Sequence, residues 1–462
     1  MLPLALLALL SPASAGEVIF TPDAPTPSLP SCLRSAYHGE FGGKHVYLPT
    51  SECQQEFSSG SIVEVGSDDA IVWVTRAGLE GDDNSLIGDL FAPSARAEDG
   101  AQAVMQAPSP LSFLHADDES FFLSIPRSDL QRLDSLLPRH LSSVVLGGPV
   151  PLDGRWEVPK SARKHLTKLI DNLTFRPEVD DLLDELNVDV VARHVRYLTG
   201  EAEDSPIRSR HAMHPDARLA GLYIRDKMTE AGFECSGFPV LPEAGWSPSV
   251  VCALAGQDST DQVVISAHYD SRGSFGSVYA PGANDDASGT AHLLTLGEVI
   301  GFNKLKFEKT LVLAFWSGEE QGLLGSHAAA EYLAKQNATV TINVQADMLG
   351  YHVPGEPPQL ALPEKIATPE ASYLVSNVSA LYAPTLVVGR TGACCTDHQS
   401  FLTFGFPATA LFERNGPIAD PMYHNSGDLS DRVGYDFEQI KTIARVTLAT
   451  AIEAAGAKLG KK

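Results

Sequence analysis

The sequence has few basic residues and no long apolar run beyond its first residues. Its 462 residues include 34 lysines and arginines against 58 aspartates and glutamates, which gives a formal net charge of −24. Nucleic-acid binding needs clustered basic side chains, and no such cluster occurs, so we exclude nucleic acid as a partner. No later stretch approaches the roughly 20 apolar residues that cross a bilayer, so we predict no membrane span.

Two catalytic motifs are also missing. The chain contains no Gly-x-Ser-x-Gly sequence, which disfavours a serine hydrolase built on that turn. It contains no His-Glu-x-x-His sequence either, which excludes a zinc peptidase of the thermolysin type.

The first fifteen residues form a short apolar segment that ends in a small-x-small sequence at Ala15. This is the pattern of a secretory signal peptide. We therefore expect a secreted protein, with delivery to a vacuolar or lysosomal lumen as the alternative. Three N-x-[ST] sequons, at Asn172, Asn337 and Asn377, fit a glycoprotein on that route.

The six cysteines fall along the chain as three neighbouring pairs. In an oxidising compartment we predict local disulfides within the first two pairs, Cys32 with Cys53 and Cys235 with Cys252. For the adjacent Cys394 and Cys395, a vicinal disulfide, pairing with a distant cysteine and free thiols all remain open.

The length of the chain favours two domains. Residues 16–165 contain short strand patterns and a short helix that should end near Leu137, before Pro138. We predict a small α+β domain here, either a pro-segment of a zymogen or a permanent accessory domain. A connector at about 160–168, rich in lysine and arginine, is a candidate processing site.

From about residue 176, helix and strand patterns alternate. The predicted helices cover 180–198, 216–231, 289–300, 325–336 and 436–458, and the predicted strands cover 261–267, 310–316, 340–346 and 407–412. Such alternation indicates an α/β fold in which a mostly parallel sheet has helices on both faces.

Five short segments of this second half each end a hydrophobic run with side chains that can bind a metal ion. They contain His268 and Asp270, Asp285, Glu319 and Glu320, Asp347, and His424. A lone histidine after a strand is more often structural than a ligand, and adjacent glutamates are usually solvated. However, open α/β sheets place their sites beyond the strand ends, so five such segments together favour one metal site.

The residue types suit a zinc hydrolase. Zinc accepts imidazole nitrogen and carboxylate oxygen, and a carboxylate can bridge two ions. Glu319 and Glu320 should point in different directions at a strand end, so one can bind metal while the other moves a proton. Asp270, two residues from His268, is well placed to orient that imidazole.

The set resembles the M28 family of zinc peptidases over residues 177–462, and most of all its secreted bacterial and fungal leucine-type aminopeptidases. The resemblance implies a zinc-exopeptidase fold whose sheet is mostly parallel but mixed. It also implies two zinc ions bridged by Asp285, one bound by His268 and Asp347 and the other by Glu320 and His424.

The same resemblance implies roles for other residues. Glu319 would be the general base for a water between the two ions, and Asp286 would follow Asp285 through a cis peptide bond. Met348 and Tyr423 would line the pocket for the substrate's N-terminal side chain. We expect a monomer that releases N-terminal, hydrophobic residues from peptides with free N-termini.

One loop departs from the family pattern. Ala393 stands where relatives carry a tyrosine that helps to stabilise the oxyanion. The chain must use another donor there or rely on zinc alone.

Three alternative functions remain. A glutaminyl-cyclase-like acyltransferase with one zinc shares several motifs but usually lacks the Asp-Asp-Ala-Ser-Gly run at 285–289. A carboxypeptidase of the same family would need an arginine near the site, for which Arg272, Arg390 and Arg414 are candidates. A non-catalytic, receptor-like ectodomain should have lost ligands or the base, yet all six positions are intact.

Overall fold

The structure is a computed structural model of the chain. It describes residues 16–49, 59–80, 109–117, 120–150, 152, 157–241, 246–393 and 395–459. The predicted signal peptide (1–15), Cys53 and Cys394 lie outside these residues. The described residues fold into two compact units, the first within 1–75, 86–130 and 143–155 and the second within 76–85, 131–142 and 156–462.

The N-terminal strands form two four-stranded sheets. Their strands are β1 (Glu17–Thr21), β2 (Tyr37–Phe41), β3 (Lys44–Tyr47), β4 (Ser61–Glu64), β5 (Asp69–Arg76), β6 (Ser112–Ala116), β7 (Ser120–Pro126) and β8 (Leu141–Val145). The orders are β2-β3-β1-β4 and β6-β7-β5-β8. Phe20 of β1 and Phe122 of β7 join the two sheets, with ring centroids 4.6 Å apart.

The short N-terminal helices are α1 (Ser31–Arg34) and α2 (Leu133–Leu136), and a 3₁₀ helix covers Arg127–Arg132. The helix predicted to end near Leu137 is therefore partly a 3₁₀ helix. It does stop before Pro138, because the residue that precedes a proline is disfavoured in helical geometry.

A six-stranded mixed sheet organises the second unit. Its strands are β9 (Glu234–Phe238), β10 (Ser249–Leu254), β11 (Gln262–His268), β13 (Thr310–Trp316), β14 (Val340–Ala346) and β17 (Ala408–Leu411), in the order β17-β14-β11-β13-β10-β9. Strands β17, β14, β11 and β13 are parallel, and β10 is antiparallel to both of its neighbours. Strands β11 and β13 are mostly apolar, as expected for strands with both faces buried. Strand β14 is also buried along its whole length, although Thr341, Asn343 and Gln345 alternate with apolar residues. The predicted α/β fold with a mostly parallel mixed sheet is confirmed.

Two smaller strand pairs and a set of helices complete this unit. The pairs are β12 (Lys306–Phe307) with β18 (Ala457–Lys458) and β15 (Gln359–Pro363) with β16 (Val387–Thr391). The helices are α3 (Lys160–Asp171), α4 (Pro177–Leu183), α5 (Val188–Thr199), α6 (Ala217–Glu230), α7 (Ser288–Phe302), α8 (Leu324–Lys335), α9 (Pro369–Tyr382), α10 (His398–Thr403) and α11 (Phe437–Ala455). No helix in the described ranges is both long and apolar enough to cross a membrane.

The structure corrects three element predictions. The helix predicted over 180–198 is two helices, because the side chain of Asn187 accepts a hydrogen bond from the Asp189 amide and caps a new helix, α5. The connector predicted at 160–168 lies within α3, where Leu166 is fully buried. The last helix ends at Ala455, because Gly456 takes the left-handed conformation, and the chain then forms β18.

The predicted disulfide between Cys235 and Cys252 is confirmed and joins β9 to β10. Cys32 and Cys395 are also disulfide-bonded. The neighbours suggested for them, Cys53 and Cys394, lie outside the described residues.

Candidate metal centre

The predicted ligands gather at one edge of the sheet, where the parallel strands end. His268 is the last residue of β11, Asp347 follows β14, and Glu320 lies four residues beyond β13. Asp285 precedes α7, and His424 lies in the loop between β17 and α11. All five side chains are buried. Parallel strands place their carboxyl ends together, which brings residues that are far apart in sequence to one place.

Asp285 connects two groups of candidate ligands. One group contains His268 and Asp347, the other contains Glu320 and His424, and within each group the ligand atoms lie within 4.8 Å of one another. Oδ1 of Asp285 is 3.2 Å from Nε2 of His268, whereas its Oδ2 is 3.4 Å from Nε2 of His424. The two oxygens of one carboxylate thus face different groups, as a bridging carboxylate requires.

The donor set fits metal ions. Nε2 of His268 and Oε1 of Glu320 are buried and have no hydrogen-bond partner among the described residues. Buried polar atoms without partners are costly. Burial and the nearby Asp285 carboxylate raise the pKa of Glu320 above its ordinary value. A cation would satisfy these atoms and stabilise the crowded carboxylates, and imidazole with carboxylate is a set that zinc accepts.

Asp270 positions two parts of the site. Its carboxylate accepts hydrogen bonds from the backbone amides of Glu319 and Glu320, at 3.3 and 3.2 Å. The same carboxylate lies 3.7 Å from Nδ1 of His268. Asp270 therefore connects the end of β11 to the turn that carries the glutamate pair.

The two adjacent glutamates have different surroundings. Glu320 is buried and lies 3.1 Å from His424, whereas Glu319 is partly exposed. Burial raises the pKa of the Glu319 carboxyl well above its ordinary value, and the neighbouring Glu320 and Asp347 carboxylates add to this. A partly exposed carboxyl group with a raised pKa is suited to accept a proton and return it.

A run of buried polar contacts shapes the segment around Asp285. The peptide bond between Asp285 and Asp286 is cis, as the family resemblance implies. Asp428 accepts hydrogen bonds from the amides of Asn284 and Asp285, at 3.0–3.1 Å. Asp286 accepts one from Gly289 at 2.9 Å. A side chain at Gly289 would meet the Asp286 carboxylate at 2.5 Å, so the close approach requires glycine.

The structure places Met348 and Tyr423, the two predicted pocket residues, in one apolar cluster. They pack against Ala77, with Leu79 and Ile418 at the edge. Leu79 and Ile418 form a parallel bridge, and the amide of Ile418 donates to the Gly78 carbonyl. Residues 77–80 belong to the second unit although they precede it in sequence. Ala77 was not anticipated from the sequence.

Arg210 is a second residue that sequence reasoning missed. Its guanidinium group is fully buried and donates to the carbonyl oxygens of Tyr269, Leu198 and Gly282, at 2.8, 3.1 and 2.7 Å, and also to that of Pro281. Burial lowers its pKa to about 10. Arg210 therefore supports the loop that leads to Asp285. No local pattern in the sequence marks this role.

The arginines considered for a carboxypeptidase have other partners. Arg272 donates to backbone carbonyl oxygens at 137, 138 and 141. Arg414 pairs with Glu356 at 2.8 Å, and Arg390 is exposed and donates to the Pro363 carbonyl. These contacts weaken the case for recognition of a substrate's C-terminal carboxylate.

Comparisons with known proteins identify relatives of the chain. A family model described as peptidase family M28 matches residues 249–451. Leucine aminopeptidase 1 of Pyrenophora tritici-repentis is 28% identical over 307 residues, which are 64% of this chain and 76% of that relative. Leucine aminopeptidase 1 of Sclerotinia sclerotiorum is 32% identical over 222 residues, 46% of this chain and 57% of that relative.

Solved structures show the same fold. The LapA aminopeptidase of Legionella pneumophila matches with a TM-score of 0.60 at 20% identity, over 84% of this chain and 98% of that chain. LapB of the same organism matches with a TM-score of 0.61 at 17% identity, over 84% of this chain and 99% of that chain. The family resemblance is confirmed for residues 249–451, which contain all five motif segments.

Proposed function

Residues 249–451 belong to peptidase family M28, and from this premise we propose that the chain, a metallo-aminopeptidase, uses two zinc ions to release hydrophobic N-terminal residues from peptides. The observation that supports the two ions is Asp285, whose two oxygens face two separate groups of ligands. A site for one ion would not need that arrangement.

The ligands divide between the two positions. His268 and Asp347 would hold one ion, Glu320 and His424 the other, and Asp285 would bind both. When bound, the ions would acidify a water molecule and polarise the carbonyl group of the scissile bond.

Glu319 would move the proton in this reaction. Its carboxylate would accept a proton from the water as the oxygen attacks the carbonyl carbon. It would then deliver that proton to the leaving nitrogen as the carbon–nitrogen bond breaks. The partial exposure of Glu319, next to the buried Glu320, supports this role.

The surroundings of the site favour an apolar substrate side chain. Met348 and Tyr423 directly adjoin the ligands Asp347 and His424 in sequence and belong to the apolar cluster with Ala77. A hydrophobic N-terminal side chain would gain free energy by burial there. Ala393 lies in an apolar cluster with Ala361 and its methyl group offers no hydrogen bond, so we assign oxyanion stabilisation to the metal ions.

We also propose that the protein passes through the secretory route. The three sequon residues, Asn172, Asn337 and Asn377, are all exposed, which is the condition for glycosylation. The Cys235–Cys252 disulfide is consistent with an oxidising compartment.

Hydrolysis of leucine p-nitroanilide, beside its N-acetylated form, tests the activity. We expect cleavage of the free-amine substrate alone, its loss on treatment with a chelator, and its recovery when zinc is added. Cleavage that survives complete metal removal would overturn the proposal. A peptide with N-terminal glutamine completes the test, because cyclisation of that peptide without hydrolysis of either anilide would instead indicate the acyltransferase.

A further inference from the structure

A segment far from the ligands in sequence contacts one of them. The carbonyl oxygen of Arg139 lies 3.1 Å from Nδ1 of His424. The other ring nitrogen, Nε2, faces Glu320 at 3.1 Å and Asp285 at 3.4 Å. Arg139 lies in residues 131–142, which belong to the same compact unit as the metal centre. We call these residues the bracing segment.

The contact has a chemical consequence for the ligand. A neutral imidazole carries one N–H group, so a histidine that binds metal through Nε2 keeps its proton on Nδ1. A carbonyl oxygen that accepts a hydrogen bond from Nδ1–H fixes the tautomer and sets the plane of the ring. For His268 the corresponding nitrogen faces Asp270, within the same motif. For His424 the acceptor comes from the bracing segment.

The bracing segment is held by groups beside the ligands. The guanidinium group of Arg272 donates to the carbonyl oxygens of Leu141 and Pro138 at 3.0 Å each, and also to that of Leu137. These acceptors lie on both sides of Arg139 in sequence. Arg272 itself is two residues from Asp270, so it links the segment to the end of β11.

A buried histidine–aspartate pair provides a second support. Oδ2 of Asp134 lies 2.8 Å from Nε2 of His211, and both side chains are 0% exposed. The attraction between them lowers the pKa of Asp134, although burial alone would raise it. Removal of one partner of a buried pair strongly destabilises the folded protein, so the pair holds the segment firmly in place.

We propose that the bracing segment is a permanent part of the metal centre, in which the carbonyl group of Arg139 positions His424 and Arg272 holds that carbonyl in place. The proposal depends on the proposed role of His424 as a ligand. For the N-terminal region it favours a permanent part of the protein over a removable pro-segment. The segment contacts the ring nitrogen opposite the ligand side, so it supports the ligand, and its removal would weaken metal binding.

The direct test changes only the carbonyl group. Replacing His140 with phenyllactic acid converts the peptide bond after Arg139 into an ester, whose carbonyl is a weaker acceptor. The matched control is H140F, which has the same side chain and an ordinary peptide bond. Zinc per chain is measured by elemental analysis, and the affinity of each ion by competition with a chelator. We expect one of two zinc ions to bind about 10- to 100-fold more weakly in the ester protein than in H140F.

A second variant tests the support of the segment. R272K keeps the positive charge but loses the planar guanidinium fork, whose geometry matches the three carbonyl groups. We expect R272K to bind the same single zinc ion more weakly. R163Q, which removes only a surface pair with Glu370, should leave both zinc affinities unchanged. Circular dichroism of each metal-free protein establishes that it is folded.

The outcomes separate this inference from the proposed function. A wild-type protein that binds fewer than two zinc ions would contradict the two-ion proposal itself. Two zinc ions in the wild type, with equal affinities in the ester protein, H140F and R272K, would overturn only the role of the bracing segment.

Discussion

Two buried arginines support different segments of the candidate metal centre through the same kind of contact. Arg210 binds four backbone carbonyl groups around the loop that leads to Asp285, and Arg272 binds three in the bracing segment. The acceptors of Arg210 all lie between residues 198 and 282. Those of Arg272 lie 131 to 135 residues before it.

The difference shows that the site has two structural origins. The ligands and their loop come from motifs at neighbouring strand ends, so local sequence encodes them. The acceptor for His424 and the wall formed by Ala77 come from two N-terminal segments that belong to the same compact unit. Variants of the ligand motifs and variants of the N-terminal segments should therefore differ in their effects on metal binding, activity and stability.

The largest expected effect follows from removal of the shared ligand. Asp285→Ala should lower the affinity for both ions and reduce activity to the level of chelator-treated enzyme, because both groups use this carboxylate. Asp347→Ala is the control. Asp347 belongs to one group only, so this variant should lower the affinity for one ion first. Zinc per chain after dialysis measures both. Two retained zinc ions in Asp285→Ala would contradict the bridge.

A smaller effect is expected when the ligands stay intact but the proton carrier is lost. Glu319→Gln should keep both zinc ions and lower kcat by at least about 100-fold, the low end for general acid–base catalysis. Steady-state initial rates with leucine p-nitroanilide give kcat, and elemental analysis gives the metal content. Turnover close to wild type would exclude Glu319 from this role.

The two arginines should differ in their effects on stability. Arg210→Lys would leave fully buried acceptors without donors, and each costs about 1–3 kcal/mol, so we expect the free energy of unfolding to fall by about 3 kcal/mol. Arg272→Lys should cost less, because Pro138 in the bracing segment is partly exposed. Urea unfolding of the metal-free proteins compares them. An equal loss of unfolding free energy in both variants would contradict the expected difference between Arg210 and Arg272.

The sequence predicted well which candidate ligands lie together. The bounds of β13 and β14 agree with the predicted strands, because β13 is an apolar run and β14 alternates apolar with polar residues, which is the periodicity of a strand. His268 and Asp347 lie together because β11 and β14 are parallel neighbours and end at the same edge of the sheet. Such information is local, since each motif contains both its strand and its ligand.

Other features were beyond local patterns. Helix α3 could have been found, because Leu166, Leu169 and Ile170 follow a helical spacing among the lysines that suggested a connector. The roles of Arg210 and Arg139 leave no such signal. Each depends on backbone carbonyl groups, which every residue has, and on contacts between distant parts of the chain.

The smallest expected effect concerns the apolar wall supplied by the N-terminal segment. Ala77→Gly removes one buried methyl group beside Met348 and Tyr423. If Ala77 limits the pocket, the ratio of kcat/KM for phenylalanine over leucine p-nitroanilide should rise about 10-fold, the effect of one methyl-sized group in an apolar pocket. Ala330→Gly removes a methyl group from a separate cluster and should leave the ratio unchanged. A uniform increase for both substrates in Ala77→Gly would mean that residues 77–80 obstruct the site rather than shape its specificity.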